Sequence, residues 1–160
     1  MLHTYFDAEK RSSYWLLAIG LAACWFGGAM CIGARPPFYV GLAIPMIAMG
    51  IVQIMVGSTV ARRTDRQVED LEKLLSDSPA EFVRTESPRM AAVMRNFVVF
   101  RWGEIGFIVV GLVLILLNPE LNLWKGIGVG LLAEGALMLV ADYFAKKRAQ
   151  DYSAFVQRAT

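Results

Sequence analysis

A chain of 160 residues that is 56% hydrophobic, with a mean hydropathy of +0.47, is more apolar than a soluble domain, where roughly 45–50% is usual. The net charge of +2 comes with basic residues gathered at the ends of apolar runs, so no basic and aromatic surface of the kind that binds nucleic acid stands clear of them. With His3 as the sole histidine, neither a histidine zinc site nor a bis-histidine haem can form within one chain. No serine, histidine and acid set, Walker loop or GxGxxG loop is present. These exclusions point to a non-enzymatic protein without cofactor or metal.

A bilayer-spanning helix needs about 20 mostly apolar residues, and four such stretches follow in order, at about 14–34, 38–60, 97–118 and 126–145. They predict an all-α polytopic membrane protein, a single domain over 1–160. The first stretch resembles a signal peptide in its Lys10-Arg11 flank, but it is too long for a cleaved h-region and leads straight into a second span, so it reads as a retained helix. Its ridges Gly20/Cys24/Gly28 and Ala23/Gly27/Cys31 recur every four residues, the spacing that lets helix backbones approach in lipid and offers a face for a neighbouring helix or partner. Cys24 and Cys31 cannot bridge on one straight helix, because seven residues rise about 10 Å and a disulfide needs Cα atoms within about 7 Å. Met30, Met46, Met49 and Met55 lack MxxM spacing and read as packing residues rather than as a soft-metal path.

The turn ARPPF ends the first helix, and Pro45 marks an expected kink in the second. The segment 61–95 is periodic: Val68, Leu71, Leu74 and Leu75 form one apolar stripe. Ser78-Pro79-Ala80-Glu81 is a capping box with proline at the first helical position, and Ser87-Pro88 repeats the cap-then-proline signal. A helical hairpin between spans two and three is therefore predicted. The tail 146–160 carries a further stripe, Ala149, Tyr152, Phe155 and Val156. Such stripes can lie on a lipid surface, pack on each other or receive a partner helix.

Lysine and arginine set the orientation. Lys10 and Arg11, seven basic residues from Arg62 to Arg95, and Lys146, Lys147, Arg148 and Arg158 flank one side, while the two short turns hold Arg35 and Lys125. By the positive-inside rule both termini and the 61–95 segment are cytoplasmic. A shift of 84 residues lays Arg11 on Arg95 and Ala61-Arg62-Arg63 on Ala145-Lys146-Lys147, with Pro36 within one residue of Pro119. The chain thus reads as two hairpins of the same orientation, either a duplication or a by-product of the basic flanks. Under this shift Glu104 falls on Gly20 and Glu134 on Gly50.

Five polar residues lie inside the spans: Gln53, Arg101, Glu104, Glu134 and Asp142. At 1.5 Å per residue, Arg101 is about 6 Å deep, Glu104 about 10 Å and Glu134 about 15 Å, close to the midplane. Each buried charge costs about 2.5–3.5 kcal/mol even on the lenient scale, so the group should face the bundle interior and find partners. Arg101 with Asp142 is the expected ion pair, with Glu104 sharing Arg101 three residues away. Glu134 has no cation at its depth, and Gln53, Glu104 or water are its expected companions. The set is either a structural cluster pinning the helices or a site for an ion, proton or substrate.

The order RRTDRQ, LEKLL, SPAEF, SPRM, VMRNF and RWGE, followed by EGALMLVADYFAKKRA, resembles a family of uncharacterised small bacterial four-helix inner-membrane proteins. Some proteins of that class act as immunity partners of secreted membrane-active toxins. The resemblance implies a bacterial inner-membrane protein and, by analogy of class, a toxin as a candidate partner, while the absence of catalytic sets, the small-residue ridges and the apolar stripes point to action by protein–protein binding. The intramembrane carboxylates support an alternative, a small proton- or cation-coupled transporter, dimeric because four helices enclose little space.

Overall fold

The structure, a computed structural model, describes residues 2–33 and 35–158. It contains α1 (Leu2–Cys31), α2 (Pro37–Asp77), α3 (Pro79–Leu117) and α4 (Leu123–Arg158), with no strand among the described residues. All four helices are long and apolar enough to cross a membrane, so the chain has the architecture of a multi-pass membrane protein. Exposed Trp124 and Tyr143 bracket the apolar part of α4. The rise between them, about 28 Å, matches a hydrocarbon core of about 30 Å, and aromatic rings favour the two interfaces.

Each helix boundary has a local cause. Gly33 takes a positive φ of 85°, a conformation open to glycine, and turns the chain out of α1. Pro36 and Pro37 then start α2, where the missing N–H costs nothing. Ser78 is the single non-helical residue between α2 and α3. Its N–H donates to the Leu74 carbonyl, and its own carbonyl accepts from Glu81 and Phe82, each at 3.0 Å. Neither bond of the capping box forms: the Ser78 side chain makes no cap hydrogen bond, and the Ser78 N–H is taken by the Leu74 carbonyl instead of the Glu81 carboxylate. Ser87-Pro88 starts no new helix: α3 runs through Pro88. Phe82, Glu86 and Met90, on either side of that proline, are all buried, and this packing carries the helix across the missing bond.

The helices cross where side chains are smallest. A Cβ on Gly20 would come within 2.7 Å of the Gly50 carbonyl oxygen, and one on Gly27 within 3.3 Å of the Ala43 carbonyl oxygen, so α1 runs antiparallel along α2 with backbones nearly touching. A Cβ on Gly111 would lie 2.7 Å from the Gly128 carbonyl oxygen, which locks α3 antiparallel on α4 in the same way. Between the central helices, Gly41 faces Leu123, Gly126 faces Phe38, and Gly130 makes room for the Pro45 ring. Thus α2 and α4 lie side by side in parallel.

These contacts repeat. Gly50 meets Gly20, Ala23 and Cys24, while Gly135 meets Glu104, Phe107 and Ile108. The first helix of each pair follows the 84-residue shift, and the second follows it lengthened by one residue. The structural counterpart of Gly50 is therefore Gly135, not Glu134.

At the end of the bundle that carries Leu2, Ser78 and Val156, the helices extend beyond the apolar spans and close a separate core. Leu2 and Phe6 from α1, Leu71 from α2, Phe82 and Met90 from α3, and Ala149, Tyr152 and Val156 from α4 are all buried there. Tyr5 stacks on Tyr152 at 4.3 Å, and Phe6 meets the same ring edge-on. Full burial of each large apolar side chain stabilises this end by about 1.5–3 kcal/mol. The stripes of 61–95 and of the tail therefore pack on one another, and α1 joins them from Leu2 rather than beginning near residue 14. Elsewhere the pattern inverts: Trp25, Leu116 and Leu117 are largely exposed along the spans, where lipid chains rather than protein would cover them.

Candidate functional site

The polar residues of the spans gather at the junction of α2, α3 and α4. Gln53 (1% exposed) and Glu134 (5%) are buried, and the Gln53 Nε2 donates to Glu134 Oε2 at 3.0 Å. Glu134 is brought there by the glycines around it: Gly130 and Gly135 let α4 settle against α2 and α3 so closely that a residue between them points into the bundle. Gln53 occupies the facing turn of α2, one turn beyond Gly50.

Glu104 is the second buried acid, and it lies beside the half-buried Asp142 of α4, close enough for the two carboxyl groups to interact directly. A hydrogen bond between two carboxyls requires a proton on one of them. Arg101 stands near both acids, yet it is exposed and makes no ion pair among the described residues. The expected Arg101–Asp142 bridge is thus replaced by a carboxyl–carboxyl contact, because Arg101 projects to the bundle surface while Glu104, three residues on, turns inward.

The acids therefore form two pairs, Gln53–Glu134 and Glu104–Asp142. Gln53 Oε1 is buried with no hydrogen-bond partner, whereas Glu104 and Asp142 are satisfied by one another once a proton is shared between them. A buried acceptor left open, as on Gln53, is uncommon. No cluster of three or more histidine, cysteine or acidic side chains suited to a metal occurs among the described residues.

The small-residue ridge of α1 is divided. Gly20 and Gly27 are taken up by α2, and the Cys24 Sγ reaches 3.8 Å from the Ile47 carbonyl oxygen. A Cβ on Gly28 would meet nothing within 4 Å, and Cys31 is an exposed free thiol. Of the five positions expected to form a packing or partner face, three face inward and Gly28 and Cys31 are left on the outside.

One further polar cluster has no strong signal in the spacing. Glu86, fully buried, holds Arg89 through both carboxylate oxygens, with Nε at 2.7 Å from Oε2. Gln67, with its amide oxygen turned toward Arg89, accepts from Nη1 at 3.0 Å, and the guanidinium lies over the Phe6 ring at 5.5 Å. The Tyr152 hydroxyl faces the same carboxylate. Only the i, i+3 spacing of Glu86 and Arg89 hints at the pair.

No family model matches the chain, and no curated protein or solved structure is significantly similar to it. The family resemblance stated above rests on the quoted residues alone.

Proposed function

We propose that this is a bacterial inner-membrane protein, with both termini and the Ser78 end cytoplasmic, that binds and passes a proton or small cation at its intramembrane carboxylates. The observation that carries this reading is the buried Gln53–Glu134 pair, an acid near the membrane midplane that meets an amide rather than a cation. Ionisable groups at that depth are costly and mark ion or proton paths. The Glu104–Asp142 pair lies nearer the cytoplasmic side and offers a second carboxyl step.

In this reading the repeated contacts make the chain two like-oriented hairpins about a pseudo-twofold axis along the membrane normal. The contact-based shift places Met49 and Met138 where symmetry would repeat Glu134 and Gln53. The polar pair is therefore an addition to the repeat, which supports a role beyond packing. A homodimer would supply the remaining wall of a path that four close-packed helices cannot enclose.

Flux measured in proteoliposomes under a pH gradient tests it. The Glu134→Gln variant should lose proton or cation movement while keeping the Gln53 contact. Unchanged flux in that variant would rule out the role for Glu134.

A second reading, non-enzymatic binding of another membrane protein such as a pore-forming toxin, is favoured by the open glycine positions Gly28, Gly103 and Gly106, each with nothing within 4 Å of an added Cβ. Pull-down from membranes in mild detergent with Gly28→Leu tests it. Capture unaffected by a side chain on that open face would count against a partner there.

A further inference from the structure

Between α2 and α3, at the level where α2 leaves its apolar span, lies an open cleft of about 700 Å3, within the about 300–1,000 Å3 typical of small-molecule sites. From α2 it is lined by Thr59, Arg62, Arg63 and Arg66, whose three- and four-residue spacing puts them on one helix face. Thr59 adjoins the inner end of the span near Val60, and Arg66 stands about 10 Å further along the axis. That interval is the depth of a phospholipid headgroup layer.

The charges in the cleft do not balance. Four arginines, with Arg89 from α3, face two acids, Asp70 and Glu86. Glu86 is committed to Arg89, and Arg63 is reached by Glu9 of α1 at 3.4 Å. Arg62 and Arg66 are exposed, one turn apart, and make no ion pair among the described residues. Two unpaired like charges at this spacing repel. Arg89, fixed by Glu86, Gln67 and the Phe6 ring, gives the cleft a rigid, charge-compensated wall beside them, and the exposed Thr85 hydroxyl also lines it from α3.

Planar guanidinium forks match phosphate oxygens in pairs, and basic recesses between membrane helices on the cytoplasmic side suit anionic lipid headgroups. We propose that this cleft binds the phosphate of an anionic phospholipid from the adjoining leaflet, held by Arg62 and Arg66 beside Arg89. The site is independent of the carboxylate chemistry proposed above: it lies at and beyond the inner end of the α2 span and shares no residue with it. Its occupant would tie α2 to α3, which otherwise touch little, and set the depth of the bundle.

The test is native mass spectrometry of the full chain, released from nanodiscs that hold equal amounts of phosphatidylglycerol and phosphatidylcholine, with inorganic phosphate added in a parallel arm. The expected result is preferential retention of phosphatidylglycerol by the wild-type protein, undisturbed by inorganic phosphate. Each arginine near the surface contributes about fivefold in binding, so Arg62→Gln/Arg66→Gln should weaken retention about 25-fold. Lys146→Gln/Lys147→Gln, equally basic but on α4, should leave it unchanged. Equal loss in the lysine variant would mean a diffuse surface attraction and overturn the site. Displacement of the lipid by inorganic phosphate would assign the cleft to a soluble anion instead. Should the arginine variant not fold, the wild-type arm decides: equal retention of both lipids overturns the proposal.

Discussion

Gln53 of α2 and Glu134 of α4 meet through one 3.0 Å hydrogen bond in the interior of the bundle, and neither residue has a charged partner there. The amide also leaves its own oxygen without a donor. Replacing Gln53 by leucine should therefore cost about 1–3 kcal/mol, because the buried acid loses its one donor among the described residues. Glu134→Gln should cost less than about 1 kcal/mol, since an amide can accept the same bond and hydrogen bonds inside membrane bundles average about 0.6 kcal/mol. Thermal unfolding in detergent measures both. A Glu134→Gln protein that is fully stable but inactive in flux separates a functional acid from a structural one.

Gly27 and Gly28 are neighbours in sequence with opposite surroundings. A Cβ on Gly27 would collide with the Ile47 side chain and crowd the Ala43 carbonyl oxygen, whereas one on Gly28 would meet open space. Gly27→Leu should destabilise the α1–α2 contact by at least the about 1–3 kcal/mol of an overpacked core. Gly28→Leu should leave the melting temperature unchanged. The same contrast applies to Gly111→Leu, which would be disruptive, and Gly106→Leu, which would not.

The terminal-end core depends on the Glu86–Arg89 pair. Glu86→Ala would leave Arg89, whose side chain is 25% exposed, facing Phe6 and Tyr152 with the Gln67 amide oxygen and the Met90 sulfur to accept from it. Removing one partner of a buried pair costs about 3–5 kcal/mol. The remaining exposure of Arg89 puts the expected loss at or below about 3 kcal/mol. Limited proteolysis should then cut first near Ser78, while the apolar spans stay protected.

Burial, with Glu9 nearby, pushes the Tyr5 phenol up to about 12. Burial and the Glu86 carboxylate push Tyr152 up as well. A tyrosine in the unfolded chain ionises near about 10. Because the folded values are the higher ones, the stabilisation is fully present below about pH 10 and is lost as pH rises through about 12. Tyrosinate absorbance should therefore appear together with loosening of the terminal end in that window, and a Tyr5→Phe/Tyr152→Phe protein should not loosen there.

The four apolar runs read directly from the sequence as helices long enough to cross a membrane, because hydropathy over about 20 residues is a property of the chain itself. The inward direction of Gln53, Glu104 and Glu134 was legible for the same reason, since the cost of a polar group in lipid leaves it one favourable side. Ser87-Pro88 misled, because a local cap signal carries no information about whether Phe82, Glu86 and Met90 are packed on both sides of it. The basic cleft was hidden in a different way. Its arginines read as membrane flanks until α3 is laid beside α2.

Composition and periodicity thus determined the membrane class, the number of helices and the presence of acids inside the spans, since each follows from solvation of one segment at a time. Pairing is different, because it depends on which surfaces fit. Only the tertiary structure decided that Glu104 lies against Asp142 rather than Arg101, that Gly135 stands where the sequence shift puts Glu134, and that Gly27 is enclosed while Gly28 is open. Those outcomes turn on rotations of one residue around a helix and on backbone approach at glycine, distances too small for any one-dimensional pattern to carry.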